Sequence, residues 1–570
     1  MRGEAYGDLK YVWELSRFGW AFTLARAYAI TADERFAEGF WFLWEDWIAE
    51  NPPHATVQWK CGQECALRMI AVSFAMQVLA YSSATTPARF VLSLGAIAAH
   101  AERIAAAGWY ARLQTNNHSM SEGAGVFTVG AFFPQLAKAG EWRRYGAVEL
   151  EHEALRLIRP DGTFVQKSHN YHRLMLHVYL WASSVGNSVG WQFSTIVQRR
   201  LESAAKYLTE VLDQDSGRCP NFGNNDGALI LPLDESAYDD FRPVVASAWA
   251  VMRGVCSHPN PGPWQEAIFW LAGPNQAAMP ANANEPRDPE VEFADGGIYI
   301  LRQKESWAMF HAEHYRDRPA HADQLHVDLW WRGQNVFRDA GTSLYYGPRE
   351  QFAWFSGTSI HNTVQVDYAE QMEPGPRFLW ASRAHARIVE NSNVAVVAEH
   401  GGYRRLSQPV THRRGIQACG DDTWLIWDEL TSAAGSHELR LHWLLGDFPI
   451  ETAADGLQIR TPAGTCFLWT AVDDGHGLKS APPCVLRAAP GLAAPGWQSR
   501  HYGETEPAVS LELSRRCELR RDEPFRFVTL LAPSPIAPAT SEEQGVRCGG
   551  KLILFPRSGR WTAAQFPSSS

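Results

Sequence analysis

A change of periodicity near residue 275 constrains this chain more than anything else in it. Before that point, apolar residues recur three and four apart, the spacing of amphipathic helices; after it they alternate in short runs between turn residues, the spacing of strands. Helical periodicity covers 11–30, a segment capped by Thr31-Ala32-Asp33 and stopped by Asn51-Pro52-Pro53, then 62–81, 87–107, 118–137, 142–157, 171–185, 191–213 and 235–253. Helices of this length joined by short loops predict antiparallel helical hairpins. No fixed period recurs, which favours an incomplete (α/α) toroid over a regular solenoid. Residues 276–290 are polar and Pro-rich, a linker. Alternating runs follow at 297–301, 307–310, 424–427, 440–444, 467–469, 525–528 and 551–555. They predict an antiparallel β-sandwich over 291–570. Helices first and strands after mean two separate domains, 1–275 and 291–570.

Composition narrows the function classes. The chain holds 24 Trp in 570 residues, a residue that either stacks on sugar rings or fills large helical cores. A net charge of −10 gives no reason to expect nucleic acid, yet a local Arg/Lys cluster can still meet an anionic substrate. The nine cysteines include no CxxC pair. Cys61 and Cys65 share a helix face, and no disulfide framework follows. The start shows no basic stretch leading into an apolar one, and no run of 18 apolar residues occurs. A soluble chain with no membrane association and no export signal is expected. It opens abruptly beside a helix, so residues upstream are expected to be missing.

Three polar constellations carry chemistry. Gln114-Thr115-Asn116-Asn117-His118-Ser119 stands at a helix start. It is either a site where amide and imidazole donors join the helix dipole to hold a carboxylate, or an N-cap. Lys167-Ser168-His169-Asn170-Tyr171-His172-Arg173 sets a tyrosine among cations; its phenol is either an acid–base group of lowered pKa or a buried hydroxyl with its bonds satisfied. His321, Asp339 and His361 each lie in or beside a strand-like alternation. They make a chemically sound Zn²⁺ set, although their spacing matches no compact zinc motif, and core or surface histidines are the other reading. Asn221–Asp226 reads as a tight polar loop, a turn or the wall of a cleft.

The ordered set N-N-H-S-M-S-E-G, D-G-T-F-V-Q-K-S-H-N-Y-H-R, H-A-D, R-D-A-G-T and H-N-T-V, across roughly residues 10–450, resembles the heparinase II/III-like polysaccharide lyases and their alginate-lyase relatives. The resemblance implies an α/α toroid, a β-sandwich region, and between them a cleft that cuts uronic-acid polysaccharides by β-elimination. Asn117 and His118 match the positions that neutralise the uronate carboxylate, and Tyr171 matches the catalytic tyrosine. His321, Asp339 and His361 match the ligands of a structural zinc. Tyr346 joins the catalytic set, and Trp59, Glu64, Arg68, Asn116, His172 and Arg173 are expected at the substrate. Family behaviour implies a periplasmic or secreted protein. One departure stands out: where several members place a catalytic histidine, this chain has Pro319, which cannot accept a proton.

Two rivals come from other classes. One is an acidic-polysaccharide-binding protein without turnover, which Pro319 favours. The other is a toroidal glycoside hydrolase, which needs paired carboxylates; Asp161 and Asp226 can be proposed, but nothing in the sequence pairs them.

Overall fold

The computed structural model describes residues 8–255, 260–278, 288–346, 348–453, 456–489, 495–538, 545–548, 551–556 and 559–563. The chain divides into two compact units. The first comprises 1–209, 226–285 and 345–347, and the second 210–225, 286–344 and 348–570. Most of the expected linker, 279–287, lies outside the described residues.

Helices account for the first unit: α1 (Leu9–Leu15), α2 (Gly19–Thr31), α3 (Glu34–Glu50), α4 (Gly62–Val78), α5 (Pro87–Leu113), α6 (Asn117–Phe132), α7 (Ala139–Leu157), α8 (His169–Ser188), α9 (Thr195–Glu210), α10 (Arg242–Arg253), α11 (Trp264–Ala272) and α12 (Pro274–Ala277). Neighbours in sequence pack together, with α4 against α2, α5 and α6, and α6 against α7 and α8. Helices α4, α6 and α8 are buried along most of their length. Burial on all sides marks helices sealed inside their neighbours, and polar side chains such as Glu64, Arg68, Glu122 and Arg173 are buried along with the apolar ones.

Several helices depart from the expected bounds, α6 ending at Phe132 instead of 137 and α9 covering Thr195–Glu210 instead of 191–213, and three further departures are informative. The 11–30 run breaks in two at Phe18, whose φ of 63° is a left-handed geometry that no helix continues through. The 235–253 run shortens to α10, because Pro243 favours the first turn over the interior. Helix α5 runs on to Leu113 and is long and apolar enough, by length and composition, to cross a membrane. Its inward positions Ser93, Ile97, His100, Ala101, Ile104, Gly108 and Ala111 form one stripe, and it packs on α4 and α6 as a bundle helix does.

The second unit is β-rich. Its strands are β1 (Glu290–Phe293), β2 (Ile298–Arg302), β3 (Ser306–His311), β4 (Val327–Trp331), β5 (Gln334–Phe337), β6 (Val364–Val366), β7 (Ala386–Ser392), β8 (Ala395–His400), β9 (Val410–Ala418), β10 (Trp424–Ser432), β11 (Ala434–Leu445), β12 (Ile450–Ala453), β13 (Gly456–Thr461), β14 (Gly464–Asp473), β15 (Leu478–Ser480), β16 (Cys484–Arg487), β17 (Trp497–Gln498), β18 (Glu506–Pro507), β19 (Val509–Arg520) and β20 (Phe525–Ala532). Among the described residues two large antiparallel sheets form. One runs β1-β2-β3-β4-β5-β11-β19-β16 with β6 on β11; the other runs β12-β13-β14-β20-β10-β9-β8-β7 with β15 on β14. Leu329, Val364, Leu441, Trp443 and Leu511 of the first sheet share one buried cluster with Val396, Ile416, Trp424, Leu468 and Phe527 of the second. The sheets therefore pack face to face as a sandwich. Trp41, Trp44, Trp424, Trp427, Trp443 and Trp561 are fully buried, so these six of the many tryptophans fill cores.

Candidate active site and metal centre

The candidate site in the helical unit is assembled from helix starts. Asn116 caps α6, its side chain accepting from the His118 amide at 3.0 Å. Ser168 caps α8, accepting from the Tyr171 amide at 3.1 Å. Gln166, on the approach to α8, accepts the Asn117 amide at 2.7 Å. Asn117 in turn donates through Nδ2 to Gln63 Oε1 in the first turn of α4 at 2.6 Å. The beginnings of α4 and α6 are thus tied side chain to side chain, and the loop entering α8 is tied to the backbone of α6. Helix N-termini carry partial positive charge, and grouping them makes a place for a carboxylate.

A charged network underlies these starts. Arg17, delivered by the break between α1 and α2, grips the Glu64 carboxylate through Nε at 2.8 Å and Nη2 at 2.7 Å. Asp226 accepts from Asn170 at 3.1 Å and lies 3.4 Å from Lys10. Burial would raise the Glu64 carboxyl; Arg17, with Lys10 and Arg68 behind it, overcomes this and brings it to about 2. Asp226 is lowered against its burial by Lys10 and Arg17.

Tyr171 lies almost buried in the first turn of α8, its hydroxyl 3.1 Å from that of Tyr345. Tyr345, not Tyr346, is the tyrosine brought to it. Tyr346 is 42% exposed, and its backbone amide donates to Asp8. Nor do the cations adjacent in sequence reach the phenol as expected. His172 bonds the Ala204 carbonyl, and burial pushes its pKa down to about 3. Arg173 turns to the carbonyl of Ala228 and the Asn170 side chain, beneath the rings of Tyr238 and Phe241. A helix places successive residues about 100° apart, so neighbours of a site-facing residue point elsewhere.

The other expected substrate contacts are structural. Trp59 is buried, bonded to the Asn51 carbonyl and packed on His100. Arg68 is fully buried, donating to the Gln58 carbonyl and His100 with its guanidinium over Trp47. Glu64 is the counter-ion of Arg17. Asn116 is the α6 cap. Only His118 among the Asn-Asn-His residues is partly exposed, with Nδ1 3.8 Å from Cys61 Sγ. Gln63 carries no sequence signal, while Gln166 lies within the D-G-T-F-V-Q-K-S motif and Tyr345 beside Tyr346, and neither takes a role of its own there because spacing does not distinguish it from its neighbours.

The β unit brings His321, Asp339 and His361 together. The hairpin β4–β5 turns through Arg332-Gly333, both with positive φ, and delivers Asp339 just past β5. His361 follows a short 3₁₀ turn, Thr358–Ile360. One ligand atom from each of the three lies within 4.8 Å of the others, and all three side chains are buried. Asp339 Oδ2 is 3.1 Å from His361 Nδ1, and His321 Nε2 is 3.2 Å from Thr342 Oγ1. His321 Nδ1 and His361 Nε2 are buried without a hydrogen-bond partner. Orphaned buried nitrogens cost free energy, and a divalent metal is what such a donor set satisfies; two imidazoles and a carboxylate suit zinc. Despite burial, the surrounding imidazoles hold the Asp339 carboxyl well below the usual range, while burial, with His361 nearby, lowers His321 to about 4.

Groups around the triad hold it in place. His326 stands 3.8 Å from Asp339 and accepts the Asn362 amide at 3.0 Å. The Asn362 side chain donates to the Val327 and Arg338 carbonyls and accepts from Leu444. Arg414, clamped by Asp428, donates to the carbonyls of Leu325 and Asn362. The 221–225 loop belongs to this unit, where Asn221 donates to the Ser499 carbonyl at 2.7 Å. Asp226 belongs to the other unit.

Comparison with known proteins agrees with both halves. Residues 4–225 match the model of the heparinase II/III N-terminus, and residues 285–527 that of the heparinase II/III-like C-terminal region. The chain is 21% identical to a heparin-sulfate lyase of Bacteroides stercoris, over 92% of this chain and 76% of that protein. It is 22% identical to one of Bacteroides thetaiotaomicron, over 74% of this chain and 59% of that protein. The crystal structure of a heparinase III superposes with a TM-score of 0.67 at 17% identity, over 95% of this chain and 82% of that one. With both halves matched, in the order in which the sequence motifs occur, the chain belongs to the heparinase II/III-like family of polysaccharide lyases.

Proposed function

We propose that this chain cleaves a uronate-containing polysaccharide by β-elimination, with Tyr171 as the proton carrier. The observation that carries the reading is the Tyr171–Tyr345 hydroxyl pair, in a helix whose entry loop is bonded to the start of α6. The C5 proton of a uronate is weakly acidic until its carboxylate charge is neutralised. The second N–H of Asn117, the His118 ring and the α6 N-terminus supply that neutralisation. Tyr171, as phenolate, takes the C5 proton, and the hydrogen bond from Tyr345 stabilises its charged form. The C4=C5 bond forms as the C4–O bond breaks, and Tyr171 returns the proton to the departing glycosidic oxygen. His321, Asp339 and His361 would hold a zinc that braces the segment from Asp339 to Ser343. The relatives named for heparin sulfate make that class of glycosaminoglycan the first polymer to try.

Asp161 is spent on capping Thr163, and Asp226 on Lys10 and Arg17, which argues against a hydrolase pair. Incubation with heparan sulfate, chondroitin and alginate, followed by ultraviolet absorbance, tests the reading. Elimination leaves an absorbing conjugated double bond, whereas hydrolysis or binding alone leaves none. No absorbance with any uronate polymer sinks the proposal.

A further inference from the structure

A recess in the β unit, separate from the residues discussed so far, has the chemistry of a sugar subsite. It encloses about 110 Å³, on a measure where one water needs about 10–15 Å³. Its walls are the half-buried rings of Phe352, Phe378 and Trp380, the guanidinium of Arg377 and the carboxylate of Glu370. Arg377 lies over the Phe352 ring at 5.6 Å, and Phe352 meets Phe378 edge-on at 5.1 Å. The segment from Glu373 to Ala381 folds back on itself, with Gly375 donating to the Leu379 carbonyl and Ala381 to that of Glu373. This fixes the loop that presents Arg377, Phe378 and Trp380.

Two features point beyond packing. Phe378 has φ of 68°, a left-handed conformation that costs a bulky residue on the order of 1–2 kcal/mol. The recess also runs up to the metal triad along the chain: Ala320, one of its lining residues, precedes His321, and the Trp380 indole points at the Ala320 carbonyl, 3.5 Å away. Ser356, another lining residue, accepts the Ala322 amide at 2.9 Å through its carbonyl.

We propose that this recess binds one anionic sugar ring of the polymer, away from the bond being cut. Aromatic faces take the apolar face of a pyranose, Glu370 takes a hydroxyl, and Arg377 pairs with a carboxylate or sulfate. In a chain of net charge −10, a polyanion requires such local cations. This inference rests on the polysaccharide-lyase reading.

The test measures equilibrium binding of heparan sulfate and of uncharged dextran by calorimetry in the Tyr171→Phe background, which slows turnover by about 10²-fold or more. Arg377→Gln and Phe378→Gly are added to that background, and thermal melting is followed in parallel. The expected result is binding of heparan sulfate but not dextran, weakened about tenfold or more by either variant. Phe378→Gly should bind worse without melting earlier, because glycine relieves the positive φ. Unchanged affinity in both variants overturns the subsite, as does a Phe378→Gly loss of affinity that comes with a matching loss of folding. Failure of the lyase reading is seen separately, as absent ultraviolet absorbance with the otherwise unaltered protein. Absence of absorbance together with absence of binding overturns both.

Discussion

At the scale of single residues the proposed chemistry concentrates on Tyr171 and the hydroxyl that faces it. Tyr171→Phe removes one oxygen and keeps the ring, so kcat is expected to fall at least about 10²-fold, within the range of general acid–base contributions. Retention of more than half the activity would mean that the proton travels elsewhere. Tyr345→Phe removes the hydroxyl that lies 3.1 Å from that of Tyr171, the proposed donor to its phenolate. The loss should be smaller, and the limb of the pH–rate profile belonging to Tyr171 should move to higher pH. Asn117→Ala and His118→Ala separate two roles that stand side by side. Loss of the amide donor costs about 3 kcal/mol, roughly 10²–10³ in rate, with the profile keeping its shape. Loss of the imidazole should also displace a limb where His118 carries a proton, since an imidazole can change charge and an amide cannot. If neither variant slows, the Asn-Asn-His turn is only a helix start. Pro319 cannot accept a proton, and His118 is the half-exposed imidazole beside Asn117 at the start of α6.

At the scale of elements the helices were legible from periodicity, and the helix starts were legible as polar clusters. What was not legible is which side chains around each start face inward. Trp59, Arg68, His172 and Arg173 look like cleft residues by type, yet in this fold they are buried and bonded to neighbouring backbone and side chains. Phe18 carries no sequence mark of a break, and that break is what delivers Arg17 to Glu64. The pair has a stated pH signature. Glu64 is held at about 2, below its ordinary 4.5, so its stabilisation is present above pH 4.5 and is lost as pH falls through about 2. Glu64→Gln should flatten that acid limb and lower stability at neutral pH by about 3–5 kcal/mol, since Arg17 is left buried with its principal partner neutral. Glu122 has the opposite sign. Burial, opposed by Arg103 and reinforced by Glu149, raises it to about 8, and one of its oxygens is buried without a partner. Its contribution is complete below its ordinary 4.5 and is eroded as pH rises through about 8. Glu122→Gln should therefore melt later than the unaltered protein at pH 9 and close to it at pH 5. Melting curves at the two pH values check both variants.

At the scale of the whole molecule, the order of helices before strands was readable because periods of 3.6 and 2 cannot be confused over hundreds of residues. The clustering of His321, Asp339 and His361 was suggested by their chemistry and by the family resemblance and not by spacing, since they are far apart in sequence and no local pattern unites them. What unites them is the antiparallel pairing of β4 with β5 and the anchoring of Asn362 and Arg414. A bound ion there would link three separate segments of the β unit. It would stabilise that unit by mass action, about 4 kcal/mol when free metal is a thousandfold above its dissociation constant. The purified protein is accordingly expected to carry about one zinc per chain. Removal by a chelator should lower the melting temperature, and re-addition of zinc should restore it. His361→Ala should abolish both the zinc and the response, because it removes one of three ligands and leaves Asp339 buried with its nearest imidazole gone. A bracing role and a role in turnover then part company. Zinc-free protein assayed well below its lowered melting temperature keeps its activity if the ion only braces the segment from Asp339 to Ser343, and loses it if the ion acts on the substrate. Elemental analysis that finds no zinc, or equal zinc in His361→Ala, removes the ion from the account and leaves two buried, unpartnered imidazole nitrogens to be explained by folding alone.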